Sequence, residues 1–369
     1  MNQIPNSAGF NLAGGKIGVL VLHGFTGSPL SITPWAKYLN SLGYTVSAPC
    51  LPGHGSSWQQ MNKTTWQDWY KAAEQELLEL QNKCDRVFIA GFSMGGALAL
   101  RLCQIRSSEI EGLLLLNPSI HDRRLFLKLI PLLKYFISSV KKGPTDIAAP
   151  NPIKHAYHRT PLKALDSLRK LWQIVQRDLY LIDLPIMVAY SINDHAVDPE
   201  NSMTVIDNIF SVDIREVIFE NSFHNVALDY DCDQLNAESK LFIQDVLSGE
   251  LKRGGEFNET DLVDAEFDSI VSGLSLDESS PTTYLDELDG IYEAERFKPP
   301  NPNRFILNKN QRLSLVGLTS SLVYLLAYNL TDFEVLGLWP VVIGVSASVA
   351  NLIWDTARKD DDYEDGAKL

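Results

Sequence analysis

Six short strand-like runs, of which the early ones are almost uninterruptedly apolar, alternate with helix-like stretches through about residues 1–248 of this 369-residue chain. A strand written as a continuous apolar run is typical of a parallel sheet that is covered on both faces. The alternation therefore predicts an α/β domain with a mostly parallel central sheet and helices on both faces. The runs are KIGVLVLHG, YTVSAP, RVFIAG, IEGLLLLNPS, LPIMVAYS and REVIFENS.

One long insertion, about residues 121–184, interrupts this alternation. It begins with RRLFLKLIPLLKYFISSVKK, an apolar stripe with Lys and Arg on the other face, and continues through a Pro-containing loop into a further helical pattern. Two interpretations remain open for the insertion. It forms a small helical cap over a binding site, or it is a helical excursion packed on the sheet.

The next segment, residues 249–304, is strongly acidic. Between Glu250 and Arg304 there are 14 Asp and Glu against 5 Lys and Arg, which is −9 of the net charge of −14. So little apolar surface cannot offset the entropy of ordering, and we expect a largely disordered linker. A solvated helix around residues 286–297 is the alternative. The acidic balance also argues against a nucleic-acid partner.

Two apolar runs near the end of the chain, residues 313–330 and 336–354, contain no charged residue, and five residues join them. A membrane-spanning helix needs about 20 apolar residues, so residues 305–369 are predicted to form a transmembrane hairpin with a charged tail. A buried hairpin in a soluble domain and a monotopic insertion are the alternatives.

Charges around the hairpin predict its orientation. Basic residues flank it and acidic residues occupy its turn, which places both ends, and the preceding domain, on the cytoplasmic side of the inner membrane. The basic residues are Arg304, Lys309, Arg312, Arg358 and Lys359, and the turn holds Asp332 and Glu334. The first 18 residues lack the charged start and apolar core of a signal peptide.

The four cysteines are scattered without a C-x-x-C pair, so neither a metal site nor a disulfide framework is expected, and no cofactor is implied.

The stretch VFIAGFSMGGALAL places Ser93 between an apolar strand and a helix, within the pattern Gly-x-Ser-x-Gly. Ser93 is either a nucleophile on a strained turn or a small residue that lets a strand turn tightly. A serine nucleophile needs a base and an orienting acid. Asp194 follows the strand LPIMVAYS, and His224 follows the last strand, which is the chain order of a Ser–Asp–His triad. Asp198 is the fallback acid, although Pro199 suggests that it caps a helix.

The loop after the first long strand, His23-Gly24-Phe25-Thr26-Gly27, is the expected source of one oxyanion donor. The two donors are then the backbone amides of Phe25 and Met94. His23 is expected to hold this loop and His54 to brace it. For the remaining histidines we expect no necessary role. His121, His155 and His158 are expected to be exposed, and His195 is a neighbour of Asp194.

The motifs LHGFTGSP, LPGHGSS, AGFSMGG, INDHAVDP and NSFHNVALDYD resemble those of bacterial carboxylesterases and monoacylglycerol lipases of the α/β-hydrolase superfamily. The resemblance covers residues 15–248. It implies the α/β-hydrolase fold, cleavage of carboxylic esters including monoacylglycerols, and a small cap. It also implies a triad of Ser93, Asp194 and His224. Candidate substrate-binding residues are His23 and Gly24 in the loop and Leu125, Phe126, Leu129, Ile130 and Leu133 in the insertion.

The prediction from the sequence is therefore a serine ester hydrolase held near a lipid bilayer by residues 313–354. Acyl transfer and thioester cleavage use the same machinery and stay open. HNVALD also spells the H-x₄-D spacing (His224, Asp229) of glycerolipid acyltransferases, which we interpret as coincidence. A non-catalytic scaffold displayed on the membrane is the alternative from another class. Protein partners are not indicated.

Overall fold

The computed structural model describes residues 7–150, 152, 155–253, 309–330 and 339–361. The chain divides into two compact units, Met1–Gly255 and Glu256–Leu369.

The first unit is built on a seven-stranded sheet in the order β1-β3-β2-β4-β5-β8-β9. Only β1 at one edge runs antiparallel, and every other neighbouring pair is parallel. The six apolar runs form the six parallel strands, so the mostly parallel sheet predicted from the sequence is confirmed. The strands are β1 (Phe10–Leu12), β2 (Ile17–Leu22), β3 (Thr45–Ala48), β4 (Arg86–Phe92), β5 (Gly112–Leu116), β6 (Ser139–Lys141), β7 (Arg159–Pro161), β8 (Ile186–Ser191) and β9 (Ile214–Phe219).

Helices cover both faces of this sheet. Successive side chains of a strand point to opposite faces, so a strand whose side chains are all apolar needs helices on both sides to bury them. The first and last helices pack together on one face, and the third, fourth and sixth pack together on the other. The α-helices of the first unit are α1 (Thr33–Ser41), α2 (Trp58–Met61), α3 (Trp66–Gln81), α4 (Met94–Arg106), α5 (Ile130–Leu133), α6 (Leu162–Arg177), α7 (Glu200–Asn208) and α8 (Cys232–Ser248).

Large apolar side chains fill the space between α1, α8 and the sheet. Trp35, Phe88 and Phe242 are fully buried there. Burial of each such side chain stabilises the fold by about 2–3 kcal/mol. The Trp35 indole N–H also donates to Ser239 Oγ at 2.9 Å, which pins α1 to α8.

The start of the insertion differs from its prediction. The apolar stripe does not form one amphipathic helix but a 3₁₀ turn (Leu125–Leu129), the single turn α5, and the strand β6, which pairs antiparallel with β7. Pro131 is the physical reason, since proline starts a helix but cannot sit inside one. The long helix of the insertion is α6, which follows β7 directly.

Gly249 ends α8 in the left-handed conformation, at φ +84°. The chain stays attached to the first unit as far as Arg253, whose guanidinium donates to the carbonyls of Ser107 (2.6 Å) and Ile110 (2.8 Å). The remainder of the predicted acidic linker, residues 254–304, lies outside the described residues.

The second unit contains two helices packed against each other, α9 (Lys309–Leu330) and α10 (Trp339–Asp361). Their contact is a seam of small residues. A methyl group at Gly317 would lie 2.2 Å from Ser348 Oγ, and one at Gly344 would lie 2.0 Å from Ser321 Oγ. Asn351 Nδ2 donates to Ser314 Oγ at 2.8 Å one layer further along.

The predicted transmembrane hairpin is not supported by these helices. Among the described residues, no helix has both the length and the apolar character that crossing a membrane requires. Polar residues interrupt both runs, the triplet Thr319-Ser320-Ser321 in α9 and Ser346, Ser348 and Asn351 in α10. The inner-membrane location and the cytoplasmic orientation stay predictions.

Candidate active site

Ser93 occupies a strained turn between β4 and α4. Its φ of 56° and ψ of −119° lie outside the ordinary regions for a residue with a side chain. Such a conformation costs about 1–3 kcal/mol and persists only where the surroundings enforce it. Here the Ser93 amide donates to Leu116 O (3.0 Å), and its carbonyl accepts from the amides of Gly96 (2.9 Å) and Ser119 (3.1 Å).

Neither glycine of Gly-x-Ser-x-Gly has room for a side chain. A methyl group at Gly91 would lie 2.5 Å from Gly95 O, and one at Gly95 would lie 2.2 Å from Leu22 O. Both atoms are backbone and cannot move aside cheaply. The turn therefore brings β4, α4 and the end of β2 into direct backbone contact around Ser93.

Ser93, His224 and Asp194 form one chain of hydrogen bonds. The Ser93 Oγ to His224 Nε2 distance is 3.1 Å, and the His224 Nδ1 to Asp194 Oδ2 distance is 2.6 Å. The Asp194 side chain is only 1% exposed. A carboxylate can only accept, so it selects the tautomer with the proton on Nδ1 and leaves Nε2 free to accept the hydroxyl proton.

Each of the two partners is held by its own loop. Asp194 follows β8, and its Oδ1 accepts the amides of Ala196 and Val197, each at 2.8 Å. His224 follows β9, and its ring packs against Phe92 with 4.8 Å between ring centroids. Asp198 accepts the amide of Glu200 at 3.0 Å at the start of α7, so it serves as the helix cap that the sequence suggests.

Two side chains outside the predicted site residues hold the loop that carries His224. Asn117, at φ 43° just after β5, donates from Nδ2 to His224 O at 2.5 Å and accepts the Ser191 amide at 2.8 Å. Asp146 Oδ2 accepts the His224 amide at 3.3 Å. A buried polar residue at the end of an apolar strand is a signal for Asn117, whereas no local pattern marks Asp146.

The loop after β2 lies directly over Ser93. A methyl group at Gly24 would lie 3.1 Å from Ser93 Cβ. The Phe25 ring lies against Trp69 (centroids 6.0 Å) and His54 (6.5 Å), which anchors the loop. Met94 is the first residue of α4, where N–H groups lack intrahelical acceptors. The structure also gives the Phe25 amide no acceptor within the described residues.

Thr26 completes this loop with φ 60°, and the insertion holds it from outside. Tyr157 N donates to Thr26 O at 3.0 Å, and Lys142 Nζ donates to Thr26 Oγ1 at 2.7 Å. Burial lowers the pKa of Lys142 to about 8.

His23 and His54 are both buried behind the loop, with ring centroids 4.9 Å apart. His23 Nε2 accepts the Leu51 amide at 3.2 Å, so Nδ1 carries the proton and donates to Gly24 O at 3.0 Å. Burial lowers the pKa of His23 to about 4 and holds that of His54 well below its ordinary value. Among the described hydrogen bonds, none joins either histidine to Ser93.

The other histidines correct one expectation. His155 is buried rather than exposed, with its Nε2 3.4 Å from Asn225 Nδ2 and its carbonyl accepting from Ser28 Oγ at 3.4 Å. His158 is exposed and His121 is half-buried. The His195 ring pairs with Asp146 (Nδ1 to Oδ1, 2.9 Å) and packs on Phe223.

The candidate substrate-binding residues of the insertion are not brought to Ser93 by any described contact. Phe126 lies beneath the Arg124 guanidinium, 5.5 Å from ring centroid to carbon. Leu129 is 37% exposed, whereas Ile130 and Leu133 are buried in the insertion. The Leu125 side chain lies outside the described residues.

Asp229 is fully engaged elsewhere, which bears on the H-x₄-D spacing. Its carboxylate accepts four backbone amides, of Ala148 (2.7 Å), Ala149 (2.9 Å), Phe223 (3.0 Å) and Tyr230 (3.0 Å). It makes no described contact with the His224 ring. Asp229 thus holds backbone amides around it, and the interpretation of the spacing as coincidence stays a prediction.

Comparison with known proteins places this geometry in a family. A family model described as Hydrolase_4, serine aminopeptidase S33, matches residues 16–231. A thermostable monoacylglycerol lipase from Bacillus sp. (strain H-257) is 33% identical over 229 residues, which are 60% of this chain and 88% of that protein. A carboxylesterase from Bacillus subtilis (strain 168) is 26% identical over 239 residues, which are 64% of this chain and 95% of that protein.

A solved structure leads to the same result. A solved structure from work on LipS and LipT, two metagenome-derived lipolytic enzymes, superposes with a TM-score of 0.64 at 30% identity, over 66% of this chain and 99% of that chain. The resemblance that the sequence motifs carry is thus confirmed. The chain belongs to the Hydrolase_4 (serine aminopeptidase, S33) family of the α/β-hydrolase superfamily.

Proposed function

We propose that the protein is a serine hydrolase of carboxylic esters, with Ser93 as nucleophile, His224 as general base and Asp194 as the orienting acid. The observation that carries this proposal is the unbroken hydrogen-bond chain from Ser93 Oγ through His224 to the buried Asp194 carboxylate. A serine that only eased a strand-to-helix turn would need neither the imidazole nor the acid.

In the first half of the reaction, Ser93 Oγ attacks the ester carbonyl carbon while His224 Nε2 takes the hydroxyl proton. The imidazolium that forms is stabilised by Asp194 and returns the proton to the leaving alcohol. The acyl group is then bound to Ser93. In the second half, His224 deprotonates a water molecule, which attacks the acyl carbon; His224 then returns the proton to Ser93 Oγ as the bond to the acyl group breaks and the carboxylic acid is released.

The amides of Phe25 and Met94 are the proposed donors to the oxyanion. Gly24 supports this assignment, because its lack of a side chain lets the loop approach Ser93 closely. Removal of one such donor in other serine hydrolases costs about 3–4 kcal/mol of transition-state stabilisation.

The proposed substrates are monoesters with an aliphatic acyl chain, including monoacylglycerols. Support comes from the two curated relatives, named a monoacylglycerol lipase and a carboxylesterase, that align with most of their own length. The insertion fits the role of a cap, since it contacts the loop after β2 at Thr26 and the loop that carries His224, and Ser93 is only 7% exposed.

The proposal is tested by labelling with a fluorophosphonate and by turnover of a panel of substrates. We expect stoichiometric labelling that disappears in Ser93→Ala, and hydrolysis of p-nitrophenyl esters and monoacylglycerols. Parallel arms with an acyl thioester, with excess glycerol as acyl acceptor, and with an alanine p-nitroanilide separate ester hydrolysis from thioesterase, acyl-transfer and peptidase activity. An unlabelled Ser93 in folded protein would refute the proposal.

A further inference from the structure

A segment of the insertion spans the loops around Ser93, and we name residues 142–149 the strap. At one end Lys142 holds Thr26 of the oxyanion loop. At the other end the amides of Ala148 and Ala149 donate to Asp229, five residues beyond His224. The strap is therefore tied down on both sides of the triad.

Asp146 lies in the middle of the strap. Its carboxylate bridges the loop that carries Asp194, which we name the acid loop, and the loop that carries His224, which we name the base loop. Its Oδ2 accepts the His195 amide at 2.9 Å and the His224 amide at 3.3 Å. Its Oδ1 pairs with the His195 ring at 2.9 Å. The side chain is 19% exposed, and its own carbonyl accepts the Asn225 amide at 3.3 Å.

The peptide groups on both sides of the His224 Cα are thus fixed by side chains from elsewhere in the fold. Asn117 at the rim of the sheet holds the carbonyl, and Asp146 in the insertion holds the amide. The same oxygen of Asp146 holds the residue that follows Asp194. Asp146 Oδ2 therefore fixes the backbone of His224 and the backbone next to Asp194, the two partners of the His224–Asp194 hydrogen bond.

We propose that Asp146 is a positioning residue of the hydrolytic reaction, which holds the acid and base loops in register through its hydrogen bonds to the amides of His195 and His224. This inference rests on the proposed function. Because the two amides share one oxygen, the effect depends on an acceptor atom at that place and not on the negative charge. Because Asp146 acts through His224, it affects kcat more than KM.

Two other roles make different predictions. If the charge of Asp146 stabilised the imidazolium, an uncharged isostere would be as damaging as truncation. If Asp146 only anchored the insertion, any variant that loosens the insertion would have the same effect. Asp166 offers the control, because its buried carboxylate binds Lys134 (2.6 Å) and Arg169 (2.9 Å), both within the insertion.

The experiment compares Asp146→Ala, Asp146→Asn, His195→Ala and Asp166→Asn in the full chain. The substrate is p-nitrophenyl butyrate, and kcat and KM are measured separately. Misplacement of a catalytic group by about 1 Å can cost about 100-fold, so we expect kcat of Asp146→Ala to fall by about 10- to 100-fold with little change in KM. The Asn oxygen can accept both amides, so Asp146→Asn should stay within about 3-fold of the wild type.

His195→Ala removes only the ring contact and is also expected to stay within about 3-fold, as is Asp166→Asn. A second readout is the downfield proton resonance of the His224 Nδ1–H group, assigned by its loss in His224→Ala. We expect it to shift or broaden in Asp146→Ala and to be retained in the other three variants. If Asp146→Ala does not fold, Asp146→Glu displaces the carboxylate and should give an intermediate loss of kcat.

An equal loss in Asp146→Asn and Asp146→Ala would overturn the inference in favour of a charge effect. An equal loss in Asp166→Asn would overturn it in favour of general loosening of the insertion. Failure of the proposed function has a separate signature, namely a wild type that neither hydrolyses esters nor reacts with a fluorophosphonate. In that case the proton resonance still decides whether Asp146 orders the His224–Asp194 contact.

Discussion

The two compact units of the chain bury opposite kinds of side chain. In the first unit, Trp35, Phe88 and Phe242 are fully buried between the sheet and its helices. In the second unit the buried side chains include Ser314, Ser321 and Ser348, whereas Leu313, Val316 and Ile343 are 59–67% exposed. Among the described residues, it is the first unit that shows an apolar interior of the kind that stabilises globular domains.

This difference explains why a candidate active site is found in the first unit. A close-packed interior has few alternative arrangements, so it can hold a strained residue such as Ser93 and a buried carboxylate such as Asp194. A seam of small residues between two helices holds backbones close together but fixes no such constellation. We therefore expect variants in the first unit to change turnover or stability and variants in the seam to leave turnover alone.

The largest expected effect is that of Ser93→Ala. Loss of the nucleophile should reduce kcat for p-nitrophenyl butyrate by at least about 10⁴-fold, as in other serine hydrolases. The melting temperature should stay equal or rise, because the variant removes a hydroxyl from a strained turn and no core packing. Turnover that survives at more than a few per cent would place the nucleophile elsewhere.

A smaller but still large loss is expected for Asp194→Asn. An amide at this position can donate to the imidazole and so favour the wrong tautomer, which we expect to reduce kcat by about 10³- to 10⁴-fold. Asp198→Asn is the matched control, since it lies four residues away and its side chain contacts the Glu200 amide. Steady-state kinetics of both variants should show a loss for Asp194 alone. Equal losses would contradict the assignment of the acid.

Much of this first unit follows from local sequence patterns. Apolar runs between helical patterns predict the six parallel strands, and the central ones are nearly continuous because a strand buried on both faces has no polar side to display. Ser93, Asp194 and His224 each follow a strand, and the ends of parallel strands meet at one edge of a sheet. Their proximity can therefore be expected from chain order, and the structure has them in hydrogen-bond contact.

The parts that the sequence did not reveal depend on tertiary contacts. The stripe RRLFLKLIPLLKYFISSVKK has a helical period, yet Pro131 stops one segment and pairing with β7 draws Ser139–Lys141 into a strand. Asp146 lies in a loop with no periodic pattern, and its partners are 49 and 78 residues away in the chain. Only the path of the strap brings them together.

A stability effect of moderate size is expected from His23. Burial lowers its pKa to about 4 from 6.5, so the folded state favours the neutral ring. The unfolded chain takes up a proton as the pH falls through 6.5, and stability falls until the folded form also protonates near pH 4. An interval of about 2.5 pH units corresponds to about 3 kcal/mol of lost stability.

Urea unfolding of the wild type and His23→Gln at pH 7, 5.5 and 4 measures this effect. The wild type should lose stability over the interval by more than the variant does. At pH 7 the variant should be the less stable of the two, because the hydrogen bonds of His23 to Leu51 and Gly24 are lost. A parallel pH dependence of the two proteins would show that His23 does not contribute. His54, whose pKa is also held low by burial, would then be the first alternative.

The smallest effect on turnover is expected from the seam itself. A leucine at Gly344 would overlap Ser321 Oγ, since even a methyl group there lies 2.0 Å away, so the two helices must separate. Such overpacking costs about 1–3 kcal/mol, and we expect faster proteolysis within residues 309–361 in Gly344→Leu than in the wild type.

Val342→Leu is the matched control, because Val342 is 51% exposed on the same helix. Hydrolysis of p-nitrophenyl butyrate should stay within about 2-fold in both, because Gly344 and Val342 share no described partner with Ser93, Asp194 or His224, and substitutions without shared partners have independent effects. A marked loss of turnover in Gly344→Leu alone would contradict this expectation, because it would mean that packing between α9 and α10 affects the reaction at Ser93.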